Sequence, residues 1–195
     1  MVKQADLVLA LHLRGDAFTD EQKARDFRYY EALTVRDSSL SACTQAVVAA
    51  EVGHLELAYD YLSEAALIDL DDLQHNTRDG LHIASLAGTW IGAVAGFGGL
   101  RDHDGTLSFA PRLPQALSTL TFRITYRGRR LRVAVLPEQA TYTLIAGPPL
   151  DIVHHGTAAT VPPGRPLTRS IPSPPASDAP TQPRGRAPAR RRSST

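Results

Sequence analysis

Ser38, Ser39 and Ser41 stand together at the head of an apolar run, in Val35-Arg36-Asp37-Ser38-Ser39-Leu40-Ser41. A helix start leaves backbone N–H groups unpaired and gathers the positive end of the helix dipole, so it can cradle an anion. One hydroxyl suffices to cap a helix, and here there are three. A second stretch repeats the arrangement: Thr77-Arg78-Asp79-Gly80 leads into Leu81-His82-Ile83-Ala84-Ser85, with His82 at the opening of another apolar run. A neutral histidine there can donate one hydrogen bond to an oxyanion. Asp37 and Asp79 each precede one of these starts and are placed to brace its backbone.

The other reactive types point elsewhere or nowhere. Cys43 is the single cysteine, which excludes an intrachain disulfide and a cysteine zinc cluster and suits a structural thiol. His75 and His103 are too scattered to join His82 in a metal set, and neither HExxH nor CxxC occurs. Asp69, Asp71 and Asp72 lack the glycine and closing glutamate of a calcium loop and read as a solvated turn. No residue declares itself a general acid.

The elements that must position these groups are mostly helical. Apolar residues crowd Lys3–Leu13 on nearly two faces, which predicts a helix buried between neighbours. Thr19 and Gln22 form a capping box that opens a helix running to about Tyr30. Leu40–Val52 is a small-residue helix stopped by Gly53, and His54–Leu70 returns antiparallel to it. Leu81–Phe97 is the last helix. Then the period changes to two. Leu120–Tyr126 and Leu131–Val135 alternate around Arg127-Gly128-Arg129-Arg130, and Tyr142–Ala146 follows as a third strand. Arg123 and Arg132 belong to the solvated face.

Charge is unevenly spread. The formal net charge of +1 hides seven arginines against one aspartate from Gly156 onward, which leaves residues 1–155 mildly acidic. That balance disfavours nucleic-acid binding by the folded part. Residues 156–195 carry nine prolines and few apolar side chains, a composition expected to be disordered. Arg190-Arg191-Arg192 could touch anions only weakly. Met1–Asp6 carries charge where an export signal would be apolar, and the glycine-broken run Leu86–Leu100 is too short to span a membrane. A soluble, cytoplasmic protein is expected.

Taken together, Tyr29-Tyr30-Glu31-Ala32-Leu33-Thr34-Val35-Arg36-Asp37-Ser38-Ser39-Leu40-Ser41 and Asp79-Gly80-Leu81-His82-Ile83-Ala84-Ser85-Leu86-Ala87-Gly88-Thr89-Trp90 resemble the C-terminal portion of glycoside hydrolase family 65, the maltose, trehalose and kojibiose phosphorylases and related hydrolases. Asp104–Pro111 and Phe122–Gly128 fit the same pattern. The resemblance implies a mainly α chain with a small β unit. Residues 1–102 would be the last helices, about five of twelve, of a six-hairpin (α/α) toroid. Residues 103–155 would be part of a C-terminal β-sandwich, and 156–195 a disordered tail.

The resemblance also implies inversion at an α-glucosidic linkage, with phosphate or activated water attacking opposite a protonated carboxylic acid. Ser38, Ser39 and His82 match the phosphate-binding positions, and Lys3 and Gln4 a pair beside the glucose subsite. The general acid is expected upstream of Met1. No cofactor and no metal are implied. The expected partners are an α-linked glucose disaccharide, inorganic phosphate, and a segment supplying the rest of the toroid. Arg36 and Ala32 stand where the family pattern has His and Pro, which bears on phosphorolysis against hydrolysis. The competing expectation is a non-catalytic remnant, or an interaction module whose basic tail binds acidic partners.

Overall fold

A computed structural model describes residues 1–174 and 178–189. The described residues divide into a helical unit, residues 1–96 with 178–189, and a sheet unit, Phe97–Pro174. No helix among the described residues is long and apolar enough to cross a membrane.

The helical unit contains α1 (Asp6–Leu13), α2 (Asp20–Glu31), α3 (Ser41–Glu51), α4 (Leu55–Leu67) and α5 (Ile83–Ile91), the last continuing as a π-helical turn through Gly92–Phe97. The expected capping box opens α2: the Gln22 amide donates to Thr19 Oγ1 and the Thr19 amide to Gln22 Oε1. Gly53 ends α3 at φ +93°, the left-handed conformation that glycine adopts without steric cost.

α3 is the centre of this unit. Ala42, Ala46, Val47, Val48, Ala49 and Ala50 are all buried. Their small side chains let neighbours approach from every side. A glycine ladder on α5 sets the closest approach. A β-carbon built on Gly88 would lie 2.5 Å from Cys43 Sγ, one on Gly92 2.9 Å from Leu62 and 3.7 Å from Ala46, and one on Gly96 3.4 Å from the Val47 Cα. The partners rise in number along both helices, so α5 runs parallel to α3. The connection from α3 to α4 is the tight turn at Gly53-His54, where the His54 amide donates to Ala49 O at 2.8 Å.

The apolar faces are covered unevenly. Ala5, Val8 and Leu11 of the first segment are buried, as is Val94, while Leu9 and Leu13 are exposed. On α5 the side opposite Gly88 carries Ile83, Leu86 and Trp90 into solvent; Ile91 is exposed at its flank and Leu81 just before the helix.

In the sheet unit, β1 (Leu100–His103), β2 (Thr106–Phe109), β6 (Leu150–His154) and β7 (Thr157–Val161) form one sheet, with β2 and β6 parallel. β3 (Leu120–Tyr126), β4 (Arg129–Val135), β5 (Gln139–Ala146) and β8 (Leu167–Ser170) form the other, entirely antiparallel. Three hairpins turn on two left-handed residues ending in glycine: Asp104-Gly105, Arg127-Gly128 and His155-Gly156. That is the turn whose twist matches a two-stranded ribbon. Phe109 and Tyr142 meet between the sheets, ring centroids 5.1 Å apart. Arg123 pairs with Arg132 across β3 and β4 on the exposed face, as expected.

Two expectations are corrected. Disorder from residue 156 does not hold for the described residues: β7 and β8 complete the two sheets, and 178–189 lie against the helical unit. A strand at a sheet's edge needs few inward apolar residues; Val161, fully buried, serves for β7, whose backbone pairs with β6 from Leu150↔Val161 to His154↔Thr157. A segment poor in apolar residues is ordered when its backbone pairs with strands from elsewhere in the chain. The sheet unit accordingly takes in residues 97–102 and 156–174, beyond the expected limits of 103 and 155. The rest of the expected tail, 175–177 and 190–195 with Arg190-Arg191-Arg192, lies outside the described residues.

Candidate functional site

Because α3 and α5 run parallel, both begin at the same end of the helical unit. Gly88 lies five residues into α5 and Cys43 two into α3, so at about 1.5 Å per residue the two starts are offset by roughly one turn. α4, antiparallel to α3, brings its C-terminus to that end as well. The Ser38–Ser39 turn and His82 are thus at the same end of the helical unit.

A short parallel bridge between Val2 and Thr34 adds the third element. The Val2 amide donates to Leu33 O at 2.9 Å, and the Val35 amide to Val2 O at 2.8 Å. Lys3 and Gln4, both exposed, follow directly from this bridge, and Arg36–Ser39 follow from its other side. Lys3 and Gln4 are thus tied through the bridge to the chain that leads into α3, while His82 is related to it only through the packing of α5 on α3.

His82 is the residue immediately preceding α5, and its neighbour Asp69 grips it twice. His82 Nδ1 lies 2.6 Å from Asp69 Oδ1, and the His82 amide donates to Asp69 Oδ2 at 2.8 Å. The hydrogen bond from the ring, with the amide bond behind it, holds the Asp69 carboxyl below its ordinary range. This fixes the tautomer: Nδ1 carries the hydrogen and faces Asp69. The single donor of a neutral ring is thus engaged with Asp69. Nε2 can donate to an oxyanion as imidazolium, or accept the hydrogen of a protonated phosphate when neutral. Asp69, expected in a solvated turn, is the residue missed. Its sequence signal is weak, because thirteen residues and an irregular loop separate it from His82.

The serines behave differently from one another. Ser38 accepts from the Leu40 amide at 3.4 Å, and its carbonyl accepts from Ser41 N at 3.1 Å, closing the turn into α3. Ser41 is buried, and its Oγ has no hydrogen-bond partner. None of the three is bonded as a side-chain cap of α3. Asp37 takes Arg186 instead of bracing the turn's backbone. Cys43 donates to Leu40 O at 3.0 Å and burial pushes its thiol up, in keeping with a structural role.

The helical unit also holds a polar cluster that periodicity did not reveal. Glu31, Gln45 and Tyr61 are essentially inaccessible. Gln45 Nε2 donates to Glu31 Oε2 at 2.7 Å, and the Tyr61 hydroxyl donates to Glu31 Oε1. Burial raises the Glu31 carboxyl, against the pull of these donors and of Arg36. Arg36, at φ +57°, tucks its guanidinium over the Tyr61 ring and pairs with Glu64 at 3.0 Å. An arginine at this position is thereby absorbed into the scaffold, where it orients the turn that carries Ser38.

Two family descriptions match the chain consecutively: the glycosyl hydrolase family 65 central catalytic domain over residues 1–91, and the C-terminal domain of the same family over residues 100–161. The chain belongs to glycoside hydrolase family 65. An uncharacterised glycosyl hydrolase of Mycobacterium leprae is 56% identical over 195 residues, covering 98% of this chain and 25% of that protein. An α,α-trehalose phosphorylase of Thermoanaerobacter brockii is 40% identical over 152 residues, 78% of this chain and 20% of that protein. A solved human-microbiome protein described as a kojibiose phosphorylase superposes with a TM-score of 0.80 at 28% identity, over 86% of this chain and 23% of its own. The family 65 chain described here thus spans about a quarter of the length of the relatives it matches. Its helices and sheets correspond to the end of the family toroid and the sandwich that follows it.

Proposed function

We propose that this chain carries the phosphate side of an inverting α-glucoside phosphorylase. Ser38, Ser39 and the α3 and α5 starts hold inorganic phosphate together with His82, while Lys3 and Gln4 lie beside the sugar. The observation that supports this most is the parallel seating of α3 and α5, which brings the two helix starts, with the Asp69-held His82, to one end of the helical unit.

Several donors converging on one oxyanion are worth more together than apart, because the fold has already fixed their positions. His82, held at Nδ1 by Asp69, offers Nε2 as a further hydrogen-bonding atom to phosphate. A phosphate oxygen held here attacks the anomeric carbon of an α-linked glucose, and the glycosidic C–O bond breaks on the opposite side. The leaving oxygen takes its proton from a carboxylic acid in the part of the toroid outside this chain. Inversion makes the product β-glucose 1-phosphate. The exposed apolar stripe of Leu81, Ile83, Leu86 and Trp90 is where the remaining helices of the ring pack.

The test joins the chain to the remaining helices of a family 65 toroid and follows glucose 1-phosphate released from trehalose, maltose or kojibiose. Turnover should require phosphate, and Ser38→Ala, Ser39→Ala and His82→Ala should each raise the KM for phosphate. Cleavage that proceeds equally well without phosphate would show that water is the acceptor and that these residues do something else.

A further inference from the structure

The segment Gln182–Ala189 lies beyond the residues matched by either family description, yet it is fastened to the end of the helical unit that carries the candidate site. Gln182 Nε2 donates to Glu31 Oε1 at 3.1 Å. Arg186 Nη1 donates to Val35 O at 3.3 Å and to Asp37 Oδ1. The Ala189 amide donates to Glu64 Oε2 at 2.7 Å, and Pro188 is buried. The Arg186 amide closes a turn onto Pro183 O at 2.9 Å, with Gly185 at φ +71° inside it, so the arginine is projected from a fixed loop.

Glu64 divides its two oxygens between Arg36 of the serine turn and the backbone of this segment. Asp37, the residue just before Ser38, is held by Arg186. The link Val35-Arg36-Asp37 is therefore clamped from within by Glu64 and from outside by Arg186. We infer that Gln182–Ala189 is a strap for the serine turn, and that Arg186 is a positioning residue for anion binding at Ser38 and Ser39. It acts in two ways. It fixes the turn before a ligand arrives, and it neutralises the Asp37 carboxylate that would otherwise repel an anion one residue away.

The inference rests on the phosphate reading above, and one set of measurements on the 195-residue chain separates the two. Hydrogen–deuterium exchange reports the strap and the serine turn, and titration with inorganic phosphate reports binding. Arg186→Gln should speed amide exchange at Ser38–Leu40 as well as at Gln182–Ala189, and weaken phosphate on the order of tenfold at low salt, less at high salt. Arg186→Lys should retain most of the affinity. Adding Asp37→Asn to Arg186→Gln should recover phosphate binding without restoring slow exchange, a result that a purely structural role would not give. Unchanged exchange at Ser38–Leu40 in Arg186→Gln would overturn the strap. So would undiminished phosphate affinity in a chain that binds phosphate before the substitution. Coupled exchange in a chain that binds no phosphate at all would uphold the strap and remove the phosphate reading instead.

Discussion

Asp69 and His82 form a two-point contact in which one carboxylate takes both the ring hydrogen and the backbone amide of the residue that opens α5. The loop between α4 and α5 is thereby closed at its base, and the histidine has one orientation. Asp69→Asn keeps an acceptor for the amide but offers the ring a neutral partner. The expected outcome is a His82 ring that samples both tautomers, seen in its nitrogen chemical shifts, and weaker phosphate retention. The pair also contributes to stability. Because the folded Asp69 titrates below its ordinary range, that contribution is present above about pH 4 and fades as pH falls further.

Gly88 against Cys43 decides how close α5 comes to α3. A methyl group there meets both Sγ and the Cys43 β-carbon at 2.5–2.6 Å. Gly88→Ala gains about 1 kcal/mol of helix propensity but overpacks the contact, at a cost of about 1–3 kcal/mol. Net destabilisation is expected in urea unfolding. Cys43→Gly in the same chain should recover part of it, so the double variant should be more stable than the sum of the single losses. Strict additivity would mean that the two helices are not in this register.

Tyr61 donates to a buried carboxylate from a fully buried position. Tyr61→Phe removes the donor and leaves Glu31 under-satisfied, at about 1–3 kcal/mol in the unfolding free energy. The Glu31 carboxyl should then titrate higher still, because one of the bonds that stabilise its charge is gone. Carboxyl infrared absorption across pH follows this directly.

In the sheet unit, His154 accepts from the Tyr142 hydroxyl at Nδ1, 2.8 Å, and donates from Nε2 to Ser170 O at 2.9 Å, which fixes a neutral ring between the sheets. Burial lowers its titration, and lowers that of the adjacent His155 to about 4. Both rings bind protons more readily in the unfolded chain, so stability rises with pH in this window. The sheet unit should lose stability as pH falls from about 6.5 toward 4. Urea midpoints of the Tyr142 near-ultraviolet signal at pH 7 and pH 5 test the sign; a midpoint that rises on acidification would refute it.

The stripe of Ile83, Leu86 and Trp90 on α5 leaves apolar surface in water. The chain in isolation is expected to self-associate, and Ile83→Glu with Trp90→Glu should shift it toward monomer in sedimentation without loss of helix signal. A monodisperse parent chain at high concentration would contradict this.

Much of the molecule was legible from local pattern. The capping box at Thr19, the stop at Gly53, the small-residue α3 and the β3–β4 hairpin are set by interactions within a few residues, so composition and period reveal them. The motifs around Ser38 and His82 also announced their family, because a long run of specific residues needs no tertiary information to be matched. What stayed hidden depends on contacts between distant parts of the chain. Asp69 became the partner of His82 only when α4 ended beside the start of α5. The starts of α3 and α5 came to one end of the unit only through the parallel packing that Gly88, Gly92 and Gly96 allow. The proline- and arginine-rich end read as disordered because disorder is judged from a segment's own apolar content. Its strands borrow their backbone partners from β5 and β6, and its last described residues borrow carboxylates from α2 and α4. Sequence alone thus determined the elements and their ancestry. Tertiary structure decided which charges and hydroxyls face each other, because that follows from helix direction and separation, which no local window contains.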